Sequence, residues 1–253
     1  IERMSQEVLL KQERNAWAVA LYALAKASTS HVTAASVGIT DLAAGSHVIP
    51  AHLDKRFQLQ DLNKLMTLNK RINQSWAGGT PDAAFSSGIT DLYVSPEIKE
   101  QIRAFAYQPM NTKGAGQAAP RNDVPLPDSI RTEVFNQAGM QEIYGVNIIE
   151  LNELGDGQKY NTLFDEFDTG KIAPSSTAGT AEAFASGDEV CVGLDNTKGA
   201  FVRAVMQDAD TGDTFTTAPD DQFTQRNERI GFYGSLEEGR VCIDARAIVG
   251  LVV

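Results

Sequence analysis

The chain has 253 residues, 42% hydrophobic and 22% charged, ordinary values that exclude wholesale disorder. Its formal net charge is −11, which argues against a dedicated duplex nucleic-acid binder, since such proteins need Lys and Arg to neutralise phosphates. The length holds one large domain or two small ones with a real core, and no apolar run approaches the ~18 residues of a membrane span.

Residues 2–27 read as a first helix. Met4, Val8, Trp17, Ala20, Leu21 and Leu24 recur at three- and four-residue steps, and Glu7 can pair with Lys11. The polar face mixes acids and bases, which favours a helix lying across a sheet over one lying on a membrane. A charged helix is not a basic-then-apolar leader, so no signal peptide is expected. Ile rather than Met at position 1 raises the expectation of further sequence before it.

Residues 28–57 are rich in Ser, Thr, Ala and Gly and carry all three histidines, His31, His47 and His52. This is a long loop with short extended pieces. The histidine spacings match neither a helix face nor a zinc finger, so no metal site is expected. Residues 58–75 form a second helix with Leu59, Leu62, Leu65, Met66 and Ile72 on one stripe, ended by Gly78, Gly79 and Pro81. A strand follows over Ile89–Val94. Ser95-Pro96-Glu97 then starts a third helix as hydroxyl N-cap, proline at the first position and acid in the first turn. Ile98, Ile102 and Phe105 form its buried stripe.

Gly114, Gly116, Pro120, Pro125 and Pro127 mark residues 108–129 as a long irregular loop, of the kind that is usually functional or mobile. The stretch Asn111 to Gly116 has Lys113 among glycines but lacks phosphate-loop spacing and a preceding strand. Residues Ile143–Glu150 read as one strand, and 151–187 as loop with an aromatic patch at Tyr160, Phe164 and Phe167. Glu189–Leu194 and Ala200–Met206 flank Asp195–Gly199 as a hairpin. Asp208, Asp210 and Asp213 resemble half a calcium loop without its distal Glu, and read as an exposed acidic turn.

The C-terminal stretch reads as two strands, Ile230–Leu236 and Arg240 to the end, joined by a turn at Glu237-Glu238-Gly239. Val241, Ile243, Ala245, Ala247, Val249, Leu251 and Val253 alternate on one face. Opposite them Cys242, Asp244 and Arg246 give way to Ile248, Gly250 and Val252. The strand therefore begins half-exposed and ends buried on both faces, in the chain's own core or in a neighbouring subunit. Cys191 and Cys242 sit in apolar runs and read as small buried thiols rather than a disulfide or metal pair.

The order of elements is α+β rather than alternating α/β, with no internal repeat. No GxSxG, HExxH, CxxC or strand-linked GxGxxG motif occurs. No catalytic, cofactor-binding or metal residue is assigned and no cofactor is expected. The residues lean toward a structural or assembly role.

Four stretches in order make this more specific. They are Phe57 to Leu62 followed by Ile89 to Glu97; Ile143-Tyr-Gly-Val146-Asn-Ile-Ile149; Asp188 to Gly193 through Phe201-Val202-Arg203; and Glu228 to Phe232 with Gly239 to Ala247. Together they resemble the tailed-bacteriophage major capsid proteins of the Hong Kong 97-like fold, over most of the chain. The resemblance implies a long spine helix at 2–27 and three segments. Residues 1–57 would be the spine helix and connection of a peripheral (P) domain. Residues 58–200 would be an axial (A) domain, and 201–253 the closing P-domain strands. It also implies an N-terminal arm and an extended loop before residue 1. The 28–57 connection is longer than the pattern. The Lys–Asn crosslink of some relatives falls on no identifiable residue.

The function so implied is a structural major capsid protein, not an enzyme. It self-assembles as homo-pentamers and homo-hexamers into an icosahedral virion head assembled in the host cytoplasm. The loop at 108–129 would line the capsomer centre. Portal, scaffold and decoration proteins would be further partners. The shell would enclose double-stranded DNA without sequence-specific binding and without a membrane. The rival readings are an encapsulin-type shell, a minor or vertex shell protein, an α+β hydrolase using paired carboxylates, and an adhesion or receptor-binding module.

Overall fold

The computed structural model describes residues 2–30, 32–77, 88–104, 142–168, 170–207, 216–220 and 231–253. Its helices are α1 (Glu2–Lys26), α2 (Ala34–Val37), α3 (Leu59–Ala77), α4 (Pro96–Ala104) and α5 (Lys159–Phe167). Its strands are β1 (Val48–Pro50), β2 (Asp91–Val94), β3 (Glu142–Ile143), β4 (Val146–Glu150), β5 (Lys171–Pro174), β6 (Ala181–Ala183), β7 (Val190–Leu194), β8 (Phe201–Val205), β9 (Thr216–Asp220), β10 (Gly231–Ser235), β11 (Glu238–Cys242) and β12 (Ile248–Val252). Helices beside a mixed sheet make the chain α+β. Two compact units form, one of Ile1–Val19 with Ala200–Ile243 and a larger one of Ala20–Gly199 with Asp244–Val253.

The larger unit is built on a six-stranded sheet in the order β1-β12-β7-β2-β4-β3. β12 runs parallel to β1 and antiparallel to β7, and β2 runs parallel to β4. Every residue of β12 is buried, as an apolar strand covered on both faces must be. Helix α3 lies against it and turns Leu62, Leu65, Leu68 and Ile72, all fully buried, into the core. Helix α4 adds Ile98 and Ile102. The last turns of α1 bring in Ala20, Leu21 and Leu24. Gly250 makes room for them, because a Cβ there would meet Leu24 Cδ2 at 3.0 Å and Val48 Cγ2 at 3.1 Å.

Several elements follow the sequence reading. Helices α1, α3 and α4 lie where periodicity puts them, and Ser95 Oγ caps α4 by accepting from Ile98 N at 3.1 Å. The burial of the C-terminal strand on both faces also holds. Others differ. Met4, Val8 and Trp17 are half-buried rather than core, and Glu7 pairs with Arg3 at 3.4 Å instead of Lys11. That pair is largely exposed and contributes little.

The long C-terminal strand is two strands. Asp244 accepts from Arg246 N at 3.0 Å and caps a 3-10 turn at Ala245–Ala247, so β11 and β12 join different sheets. β10 pairs with β9, not β11. β7 and β8 do not form a hairpin, since Asp195 caps another 3-10 turn at Asn196–Lys198 and each strand finds other partners. Residues 143–150 are a hairpin rather than one strand. Tyr144 (φ 54°) and Gly145 (φ 80°) take the left-handed pair of angles that a tight two-residue turn needs. The stretch read as loop at 151–187 holds α5, β5 and β6, and Tyr160 and Phe164 are the buried face of that helix. Of the two thiols Cys191 is buried and Cys242 half-buried. Both are free. The readings on His31, 78–81, Phe105, 108–129 and Asp208–Asp213 fall outside the described residues.

Gly250→Leu forces a side chain between Leu24 and Val48. The expected outcome is a loss of about 1–3 kcal/mol, measured by urea unfolding.

Candidate functional site

Four buried polar residues, Ser95, Asn161, Asp188 and Glu189, gather where β7 begins. Ser95 and Glu189 are the centre. Ser95 Oγ donates to Glu189 Oε2 while accepting the α4 cap bond from Ile98 N. Glu189 Oε1 accepts from Asp156 N at 3.4 Å. The backbones of Glu189 and Val253 exchange two hydrogen bonds of 2.9 Å. Beside them Asp188 Oδ2 accepts from Ala185 N at 2.9 Å. Asn161 of α5 donates from Nδ2 to Asp188 O at 2.8 Å and accepts at Oδ1 from Val190 N at 3.1 Å.

Asp61 sits in the first turn of α3. Its Oδ2 reaches back to Gln58 N at 3.1 Å and its Oδ1 accepts from His52 N at 3.0 Å. An acid at this position of a helix is half of a capping box. Here it also ties down the loop before the helix.

Burial dominates the electrostatics. It pushes the Asp61 carboxyl up to about 6, against the lowering effect of the His52 and Gln58 amides and Lys64. It raises Asp188 and Glu189 in the same sense. It pushes the Cys191 thiol well up, with help from Glu189 and Asp61, so that thiol is a poor nucleophile. A carboxyl raised toward neutrality is the usual form of a general acid. Ser95, however, is fully buried, and the carboxylate oxygens of Asp61 and Glu189 are engaged by backbone amides or by the Ser95 hydroxyl. The geometry therefore stitches α4 and α5 to the start of β7 and ties α3 to the loop before it.

Other polar groups behave likewise. Asp91 accepts from Asn147 Nδ2 at 3.1 Å, from Thr90 Oγ1 at 2.9 Å and from Asn196 Nδ2. The His47 ring lies 2.7 Å from Thr29 Oγ1 and 3.2 Å from Ile248 O, joining the 28–57 connection to β12. Among the described residues no group of three or more His, Cys, Asp or Glu could hold a metal ion. Sequence reasoning assigned no site residue and missed the Ser95–Glu189 and Asp61 clusters. The Ser95-Pro96-Glu97 cap pointed to Ser95, but nothing near it pointed to Glu189.

No family model matches the chain, and no curated protein matches it. Among solved structures, a chain of Mycobacterium phage Ogopogo is similar at 12% identity with a TM-score of 0.32, over 98% of this chain and 67% of that one. A likeness of that degree carries no argument about function. No helix among the described residues is long and apolar enough to cross a membrane.

Asp61 binds its proton more tightly folded than unfolded, because its folded value of about 6 lies above the ordinary 3.8. Its stabilising contribution is full below the unfolded value and is lost as pH rises through the folded one. Wild-type stability minus that of Asp61→Asn is expected to fall by roughly 2–3 kcal/mol between about pH 4 and pH 7.5. Parallel stability curves in chemical unfolding would show that Asp61 ionises normally.

Proposed function

We propose that this chain is a major capsid protein of the tailed-phage type with the Hong Kong 97-like fold. In this reading it assembles as pentamers and hexamers into an icosahedral head that encloses double-stranded DNA, and its location is the virion. The order of the four stretches along the chain supports the reading, as does the α+β class. The observation that carries it is the number of large apolar side chains left in water. Leu9 is 63% exposed and Leu10 43% on α1, Tyr22 is 54% exposed near its end, and Tyr144 is 58% exposed at the tip of the β3–β4 hairpin. Scattered single apolar residues are normal on a surface. Exposure on several separate elements fits a subunit covered by copies of itself.

In this reading α1 is the spine helix, and the axial and peripheral segments keep the boundaries that the resemblance implies. Portal, scaffold and decoration proteins complete the particle. A net charge of −11 suits a wall that repels packaged DNA rather than gripping it. On this reading the protein has no enzymatic role, and the engagement of the Asp61 and Glu189 carboxylates by backbone amides and the Ser95 hydroxyl supports it. An encapsulin-type or minor shell protein would share the fold and differ in what it encloses.

Negative-stain microscopy of the purified protein, with sedimentation, decides between shell and non-shell. Closed icosahedral shells, or rings of five and six, are expected. A discrete small oligomer at every salt and protein concentration would sink the reading and return weight to the hydrolase or binding-module alternatives.

A further inference from the structure

Acidic side chains from separate stretches converge on the start of β7. Asp188 and Glu189 lead into the strand. Glu97 comes from α4, Asp156 from the turn after the 3-10 helix Asn152–Leu154, Glu182 from β6, and Asp54 with Lys55 from the turn before α3. The Glu189 carboxylate sits between Ser95 Oγ and Asp156 N. Asp156 turns its own carboxylate to Gly187 N at 3.0 Å. Glu97 presses on the same turn from α4, since a Cβ built on Gly155 would meet Glu97 Oε2 at 3.0 Å. The carboxylates of Glu97, Asp156 and Glu189 thus crowd the Gly155–Asp156 dipeptide. Among the described residues no lysine or arginine forms a salt bridge with any of them.

Ser95 connects this cluster to a helix. Its hydroxyl donates to Glu189 while its oxygen caps α4 through Ile98 N at 3.1 Å. Burial raises the Glu189 carboxyl, the bonds from Ser95 and Asp156 N oppose that, and the charges of Glu97 and Asp156 raise it further. Burial also raises Asp188, against the Ala185 amide and Lys55 and with help from Asp54 and Glu182. The Cys191 thiol on the same strand stays protonated.

We infer that Glu189 is a proton-sensitive clasp for the start of α4: protonated, it holds the helix on β7, and ionised, it loosens that hold. A carboxyl that binds its proton more tightly folded than unfolded stabilises in full below its unfolded value. That contribution is lost as pH rises through the folded value. Acid therefore closes the clasp and higher pH relaxes it. Opening the start of α4 admits water to the buried charge and separates it from Glu97, so release is local. The clasp is independent of the shell reading, because no second copy enters it.

Native-state hydrogen exchange on the full chain tests this, each rate being divided by its intrinsic rate at that pH. In wild type, protection over 96–104 is expected to fall about threefold or more between about pH 5 and pH 8. Glu189→Gln keeps an uncharged acceptor for Ser95 Oγ and Asp156 N and is expected to hold that protection flat. Lys99, lowered by burial, also titrates on α4, and the comparison with Glu189→Gln separates its effect. Strands β8 and β11 are the control. Protection lost there in step with α4 would mean a global transition and overturn the clasp. Equal pH dependence in wild type and Glu189→Gln overturns it too, as does a wild type with none over 96–104. If Glu189→Gln does not fold, Glu97→Gln decides. Glu97 is exposed, and removing its charge weakens proton binding at Glu189, so the loss of protection is expected to shrink. An unchanged loss in that variant overturns the inference.

Discussion

The dry, two-sided burial of β12 is the constraint on which the larger unit depends. Nothing apolar in Ile248, Val249, Leu251 or Val252 meets water, and their backbone groups must all find partners inside. They do so through two distant parts of the chain. Val252 O accepts from Ala51 N at 2.7 Å and His47 O accepts from Gly250 N at 2.9 Å, beside β1. Glu189 closes the far end of the strand against Val253. The core thus forms when residues near 50, 190 and 250 meet. Such non-local pairing is slow to form, because the loop-closure entropy comes before the contacts that offset it.

The buried carboxylates belong to the same problem. Removing Asp61, Asp188 and Glu189 from water is unfavourable, and their raised affinities for protons measure that cost. They persist because each satisfies backbone donors at an element's end that no ladder reaches. Asp61 serves the start of α3, and Glu189, through Ser95, serves the start of α4. An unpaired buried amide costs about as much as a buried hydrogen bond is worth, so the exchange is close to balanced. What is gained is a defined position for each helix on the sheet.

Legibility in the sequence follows from what each pattern reports. A 3.6-residue stripe reports a helix with one covered face, and α1, α3 and α4 were readable for that reason. The α5 helix was readable too, since Tyr160, Phe164 and Phe167 are spaced as one face, but that spacing was read as an aromatic patch in a loop. Period two reports a face and says nothing of the pairing partner. It runs unbroken from Val241 to Val253, across the Asp244 cap that sends β11 and β12 to different sheets. It runs through Tyr144-Gly145 as well, where the turn declares itself only in the backbone angles. The clusters around Ser95 and Asp61 join residues far apart in sequence, and a single chain read alone cannot pair them.

The pattern at Val241 and Ile243 teaches a second lesson. Strict apolar alternation was read as burial, and the face it marks lies in water. The alternation was correct about chemistry and silent about what covers it.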